Sequence, residues 1–140
     1  MEDWDLIIIG AGPAGLTAGI YGARSGLRTL ILEERVSGGV AAESPLIENY
    51  PGIPSVSGQE LMKRFLEHCK ALGVEIHELE RVVELDLKGE KKVVKTEKGT
   101  YRADAIIIAT GCRHRELGVP GEREFRGCLL YTSPSPRDRG

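Results

Sequence analysis

The hexapeptide Gly10-Ala11-Gly12-Pro13-Ala14-Gly15 follows directly on the apolar run Asp5-Leu6-Ile7-Ile8-Ile9, and this junction constrains the chain more than any other feature. An almost unbroken apolar run of that length suits a central strand buried on both faces. After the turn, Leu16, Ala18, Ile20, Tyr21 and Ala23 support a helix that stops near Ser25-Gly26. Residues 28–32 read as a second strand with Glu33 at its end. Strand, glycine turn, helix and strand make one unit of about 30 residues, right-handed and with its strands parallel.

The spacing of the glycines carries chemistry. Gly10 permits the tight exit from the strand, Gly12 lets the backbone approach a diphosphate, and Gly15 allows the helix to pack closely on the strand. A helix start aims unpaired N–H groups and a partial positive charge at such an anion. A bare G-x-G-x-x-G is weak, and a turn that merely connects is the competing reading. Here the motif follows a strand, opens a helix, and is answered by an acid at the end of the next strand. Glu33 lies 18 residues beyond Gly15, where a carboxylate can accept both hydroxyls of a ribose. It would repel a 2′-phosphate, so the pattern points to FAD or NAD rather than NADP. Glu34 reads as a solvated neighbour able to exchange roles with Glu33.

Beyond this unit, residues 36–57 are rich in Gly, Pro and Ser without a clear period, and read as a long ordered loop of the kind usually kept for function. A helix starts near Gly58; Leu61, Met62, Phe65, Leu66, Cys69 and Leu72 share one face, and Gly73 ends it. Residues 74–76 are expected as a strand, and 81–87, 92–96 and 100–102 as short antiparallel strands. Residues 105–109 are expected as another buried parallel strand ending in Thr110-Gly111. The fold class is therefore α/β, a Rossmann-like doubly wound dinucleotide domain with a small antiparallel β insertion.

Composition excludes several functions. A net charge of −2 with interspersed signs argues against nucleic-acid or membrane-surface binding. No apolar run approaches the roughly 20 residues that cross a bilayer, and the first apolar run begins too early for a secretory signal. A cytoplasmic location is the expectation. Cys69, Cys112 and Cys128 form no C-x-x-C, and no Cys or His spacing suits a metal. Cys69 and Met62 read as core residues, and Cys112 has no redox partner. Tyr50 reads equally as a cofactor neighbour or a loop anchor.

Taken together, the turn at residues 10–15, the loop segments Gly38-Gly39-Val40 and Ile47-Glu48-Asn49-Tyr50-Pro51-Gly52, the Ala109-Thr110-Gly111 end, and Leu117-Gly118-Val119-Pro120-Gly121-Glu122 resemble the thioredoxin reductase family of FAD-dependent pyridine nucleotide-disulfide oxidoreductases. The likeness runs from Asp5 to about Gly127. It implies an FAD site in which Gly12, Pro13, Ala14 and Gly15 meet the pyrophosphate and Glu33 the adenosine ribose. It places Gly39, Val40 and Asn49 near the ribityl chain and flavin ring, the Val82 backbone at adenine, and Thr110-Gly111 against the cofactor. Val40 departs from the Gln frequent there in the family and offers no side-chain hydrogen bond. The absence of cysteine from residues 36–50 sets the chain apart from glutathione reductase-like and lipoamide dehydrogenase-like enzymes.

For the whole protein the resemblance implies a homodimer that passes electrons from NADPH through FAD to a cysteine pair and a thioredoxin-like partner. A ferredoxin- or flavodoxin-NADP reductase without redox cysteines is the alternative. The segment Cys-Leu-Leu-Tyr-Thr-Ser-Pro-Ser-Pro-Arg-Asp at 128–138 resembles the in-frame translation of a sequencing-library adapter, with a genuine Pro/Ser-rich linker or disordered tail as the competing reading. Residues 1–127 are thus expected to be the first half of an FAD domain, up to the start of an NADPH domain. Residues 128–140 are expected to be a non-native, disordered tail, and the truncated piece to be inactive.

Overall fold

The apolar run sits at the centre of a six-stranded sheet. A computed structural model describes residues 1–112 of the chain. Its strands are β1 (Glu2–Ile9), β2 (Thr29–Leu32), β3 (Glu75–His77), β4 (Val82–Asp86), β5 (Lys92–Thr96) and β6 (Thr100–Ile108), in the spatial order β3-β2-β1-β6-β5-β4. β1 pairs in parallel with β2 and β6, and β2 with β3, whereas β4, β5 and the start of β6 form an antiparallel ribbon. Two helices, α1 (Pro13–Arg24) and α2 (Gly58–Ala71), complete the α/β unit, with a short 3-10 helix at Gly39–Glu43.

Burial follows the pattern of the sequence. Leu6, Ile8, Leu16, Ile31, Cys69 and Val74 form one buried cluster between sheet and helices. Trp4, Ile7, Leu30, Leu32, Val94 and Tyr101 form a second, to which the antiparallel ribbon contributes. The Cys69 thiol is wholly buried and donates to the Leu16 carbonyl at 3.0 Å. Burial pushes its pKa up to about 11, so it is a packing residue rather than a reactive thiolate.

Several expectations are corrected. The stretches 100–102 and 105–109 are one nine-residue strand, because β6 pairs with β1 along its length and with β5 only over Thr100–Ala103. The intervening Asp104 faces out and pairs with Lys91 at 2.5 Å, so its polarity does not break the strand. The second half of β6 is not buried: Ile107 and Ile108 are 39% and 59% exposed. β5 has already ended there, and no other strand among the described residues pairs that edge. Leu72 leaves the apolar face of α2 and is exposed as its C-cap, and Val74 precedes β3 rather than belonging to it. The loop at 36–57 contains the 3-10 helix and two isolated bridges, Ile47 with Val56 and Tyr50 with Ile53. Leu117–Glu122, the Gly127 boundary and the tail at 128–140 lie outside the described residues.

The contrast within the isoleucines is testable by urea denaturation. Ile31→Ala, at a fully buried position, should cost about 2–5 kcal/mol. Ile108→Ala should cost no more than about 0.5 kcal/mol. Equal losses would contradict the exposed upper half of β6.

Candidate dinucleotide-binding site

Two close backbone approaches build the site. A Cβ on Gly15 would collide with the Gly10 carbonyl, and a Cβ on Gly10 with that of Ala109. The end of β1, the start of α1 and the end of β6 therefore meet where no side chain fits. Gly12 is the N-cap of α1 in extended backbone, Pro13 opens the first turn, and no side chain caps the helix. The first-turn amides of Ala14 and Gly15 have no acceptor within the helix and face outward with its positive end.

The long loop returns to this point. Gly38 N–H donates to the Ala11 carbonyl at 2.7 Å, and Gly38 and Gly39 take φ of 123° and 59°, a left-handed geometry suited to glycine. A Cβ on Gly12 would have only the Gly39 Cα within 4 Å, at 3.9 Å. The two glycines thus lie in van der Waals contact, and a hollow opens beside them, lined also by Pro13, Ala14, Val40 and Thr110. α2 holds the loop there: Ser57 Oγ caps the Glu60 N–H at 3.1 Å, and Gly58 N–H donates to the Ser44 carbonyl at 2.8 Å. Leu61 and Met62 pack under Ala41 and Ala42.

Glu33 stands beside the hollow. One carboxylate oxygen accepts from the Ala11 N–H at 2.9 Å and the other from the Arg35 N–H at 2.8 Å. Its main chain is fixed as well: Glu33 N–H donates to the His77 carbonyl, and the Glu33 carbonyl accepts from Glu80 N–H, both at 2.9 Å. The carboxylate is thereby aimed at the glycine turn.

Two cavities share Glu33, Glu34 and Thr110. One is lined further by Gly10, Glu80, Val82 and Leu85, the other by Gly12, Pro13, Ala14, Gly39, Val40, Ala109 and Gly111. Gly15 and Gly38 are buried behind these walls. The other expected site residues line one or both cavities, except Asn49. Asn49 is exposed and lines neither cavity. The flanking bridges draw its segment onto α2, where Tyr50 meets Phe65 edge-on at 5.8 Å between ring centroids, as a loop anchor.

Sequence reading missed four contributors. Ala11 and Arg35 act through backbone amides, which no residue type announces. Ser37 Oγ, in the wall of the second cavity, is buried and has no hydrogen-bond partner among the described residues. Glu80 is only 4% exposed although it sits in the charged stretch His77-Glu78-Leu79-Glu80-Arg81. Its Oε2 accepts from the Tyr101 hydroxyl at 2.6 Å and the Thr96 hydroxyl at 2.7 Å, and its Oε1 lies 3.2 Å from His77 Nδ1. Burial pushes the Glu80 pKa up, but the two hydroxyls and His77 outweigh it and hold it below 4.5. The same contact and burial raise the pKa of Tyr101. Among the described residues no cluster of His, Cys, Asp and Glu could hold a metal ion, and no helix is long and apolar enough to cross a membrane.

Because the folded pKa of Glu80 is depressed, its stabilisation is complete above the unfolded value near 4.5 and is lost as pH falls through the folded value. Glu80→Gln should cost about 2 kcal/mol at pH 7. The variant should also lose less stability than the wild type between pH 6 and pH 3 (roughly the carboxylate range). Denaturation midpoints across that range check both statements; parallel pH profiles would reject the assignment.

The comparisons with known proteins agree with this geometry. The family model described as pyridine nucleotide-disulphide oxidoreductase matches residues 4–136. The chain is 41% identical over 127 residues to a 34.2 kDa protein in the rubredoxin operon of Clostridium pasteurianum, covering 91% of this chain and 41% of that protein. It is 45% identical over 124 residues to the thioredoxin reductase of Bacillus subtilis, covering 89% of this chain and 39% of that one. The crystal structure of thioredoxin reductase from Streptococcus pyogenes superposes with a TM-score of 0.82 at 42% identity, over 88% of this chain and 40% of the other. The chain thus spans about two fifths of the length of these relatives. A glycine turn closed on its own strand, an acid aimed back at it and a family match over nearly the whole sequence lead to one assignment: the chain belongs to the pyridine nucleotide-disulphide oxidoreductase family, among its thioredoxin reductase-like members.

Proposed function

We propose that these residues bind the diphosphate and adenosine half of FAD, as part of a thioredoxin reductase-like flavoprotein. The observation that carries this reading is the hollow beside Gly12 and Gly39, where two glycines leave the main chain without side-chain cover at the uncapped start of α1. A diphosphate needs such a place, where N–H groups approach without intervening side chains and the helix dipole favours negative charge. Glu33 accepts the ribose hydroxyls from one side. Val82 and Leu85 wall the adenine end, and Val40, Thr110 and Gly111 extend the site toward the flavin ring. Ser37 Oγ, buried and without a partner among the described residues, is a donor for a ligand oxygen.

When bound, a flavin supplies a two-electron carrier between a nicotinamide and a disulfide. This chain's residues bind and orient it. The whole protein takes NADPH, reduces a thioredoxin-like partner and works as a homodimer in this reading. The 140 residues hold no C-x-x-C, and by themselves they carry out no disulfide reduction and retain dinucleotide weakly.

Two outcomes are expected. The purified 140-residue chain should carry well under stoichiometric flavin, read from its absorbance; a fully loaded yellow protein would contradict the weak retention. Gly12→Asp should lower the affinity for added FAD by more than about tenfold through charge repulsion in the hollow. Its unfolding midpoint should hardly move, because the added Cβ meets only the Gly39 Cα, at an ordinary van der Waals distance of 3.9 Å. Titration calorimetry with parallel denaturation tests this, and unchanged affinity would remove the diphosphate from Gly12.

A further inference from the structure

Glu80 is a buried carboxylate whose side chain turns inward, to groups of its own fold. Its Oε2 accepts from Tyr101 on β6 and Thr96 at the end of β5, and its Oε1 faces His77 at the end of β3. Charge-assisted bonds of this kind are short and directional, so the side chain ties three strands at one point. The Glu80 main chain serves a different end, since its N–H holds the Glu33 carbonyl at 2.9 Å. His77 holds Glu33 from the other side through its carbonyl, and Glu78 Oε2 accepts from the Ser37 N–H at 2.6 Å. Between them Leu79 takes a positive φ of 57°, and its N–H donates to the Arg35 carbonyl at 2.9 Å. L side chains disfavour that backbone region, so the turn persists because its flanks are fixed. Residues 77–80 therefore form a clasp around the main chain of Glu33 to Ser37, and the Glu80 side chain anchors it to the antiparallel ribbon.

We propose that Glu80 is a positioning residue for the nucleotide site: by anchoring the 77–80 clasp to Thr96 and Tyr101, it holds the Glu33 carboxylate where it reads the ribose hydroxyls. The proposal rests on the reading of Glu33 as the ribose acceptor. It adds that ribose discrimination depends on a carboxylate bonded to Thr96 and Tyr101 and not to the ribose. The ribbon of β4 to β6 thereby acts on the site through a single carboxylate.

The test uses the 140-residue chain with ADP and 2′-deoxy-ADP, whose affinities are measured by calorimetry or by amide chemical-shift titration. One hydrogen bond to a charged acceptor corresponds to about tenfold in affinity, so the wild type should prefer ADP by about tenfold. Glu33→Gln should remove most of that preference. Glu80→Gln should lower it to about twofold, and should shift the Ala11 amide resonance that reports the Glu33 contact. The double variant should lose no further preference, as expected for residues acting in series. Should Glu80→Gln fail to fold, Tyr101→Phe and Thr96→Val each remove one anchor and should each reduce the preference partway. Equal weakening of both nucleotides with the tenfold preference intact would make Glu80 a structural staple only and overturn the proposal. A wild type that binds no ADP, or a Glu33→Gln variant that still discriminates, would overturn the ribose reading itself and the proposal with it.

Discussion

The contact on which the rest depends is the passage of α1 over the end of β1, where Gly15 lies against the Gly10 carbonyl with no room for a Cβ. Helix and strand can meet so closely only through main chain. The approach places the uncapped start of α1 at the end of the central strand, and β6 closes on the same point through Gly10 and Ala109. Three elements thus converge on one patch of bare backbone. A patch of unpaired amides at a helix start is a ready site for an anion.

Position alone does not make a nucleotide site; the neighbouring carboxylate must be aimed. Glu33 leaves β2 with both oxygens directed at backbone amides, one in the glycine turn and one in the next loop. The clasp at 77–80 fixes the same residue from behind. The antiparallel ribbon, which looks like an insertion between β3 and β6, is in this view a support for the ribose end of the site. α2 plays the matching role at the other end, where Gly58 and Met62 hold the loop that carries Gly39 and Val40.

Much of this was legible in the residues. The run at 5–9 and the glycine spacing announce β1, the turn and α1, and the acid at the end of the second strand announces a carboxylate that faces the turn. The apolar face of α2 was readable up to Cys69 but not at Leu72, since a helix end exposes what its last turn carries. The continuity of β6 was hidden by Asp104, whose polarity looks like a break until Lys91 is seen across from it. Burial of Ile107 and Ile108 was overestimated because apolar content tells what a strand can pack, not whether a neighbour is there. Asn49 was carried to the site by resemblance and stands away from both cavities, held off by two bridges. Glu80 could not be found at all. Among His77, Glu78 and Arg81 it looks solvated, and only the fold brings Thr96 and Tyr101 to it.

The central claim is that a diphosphate rests on the naked amides at the start of α1 with the Glu33 carboxylate beside it. The most direct measurement is a crystal structure of the chain soaked with ADP. The account predicts diphosphate oxygens about 3 Å from the Gly12, Ala14 or Gly15 nitrogens, a hydrogen-bond distance, with the ribose hydroxyls on Glu33. Nucleotide density elsewhere on the molecule, with the hollow beside Gly12 and Gly39 left to solvent, would contradict it.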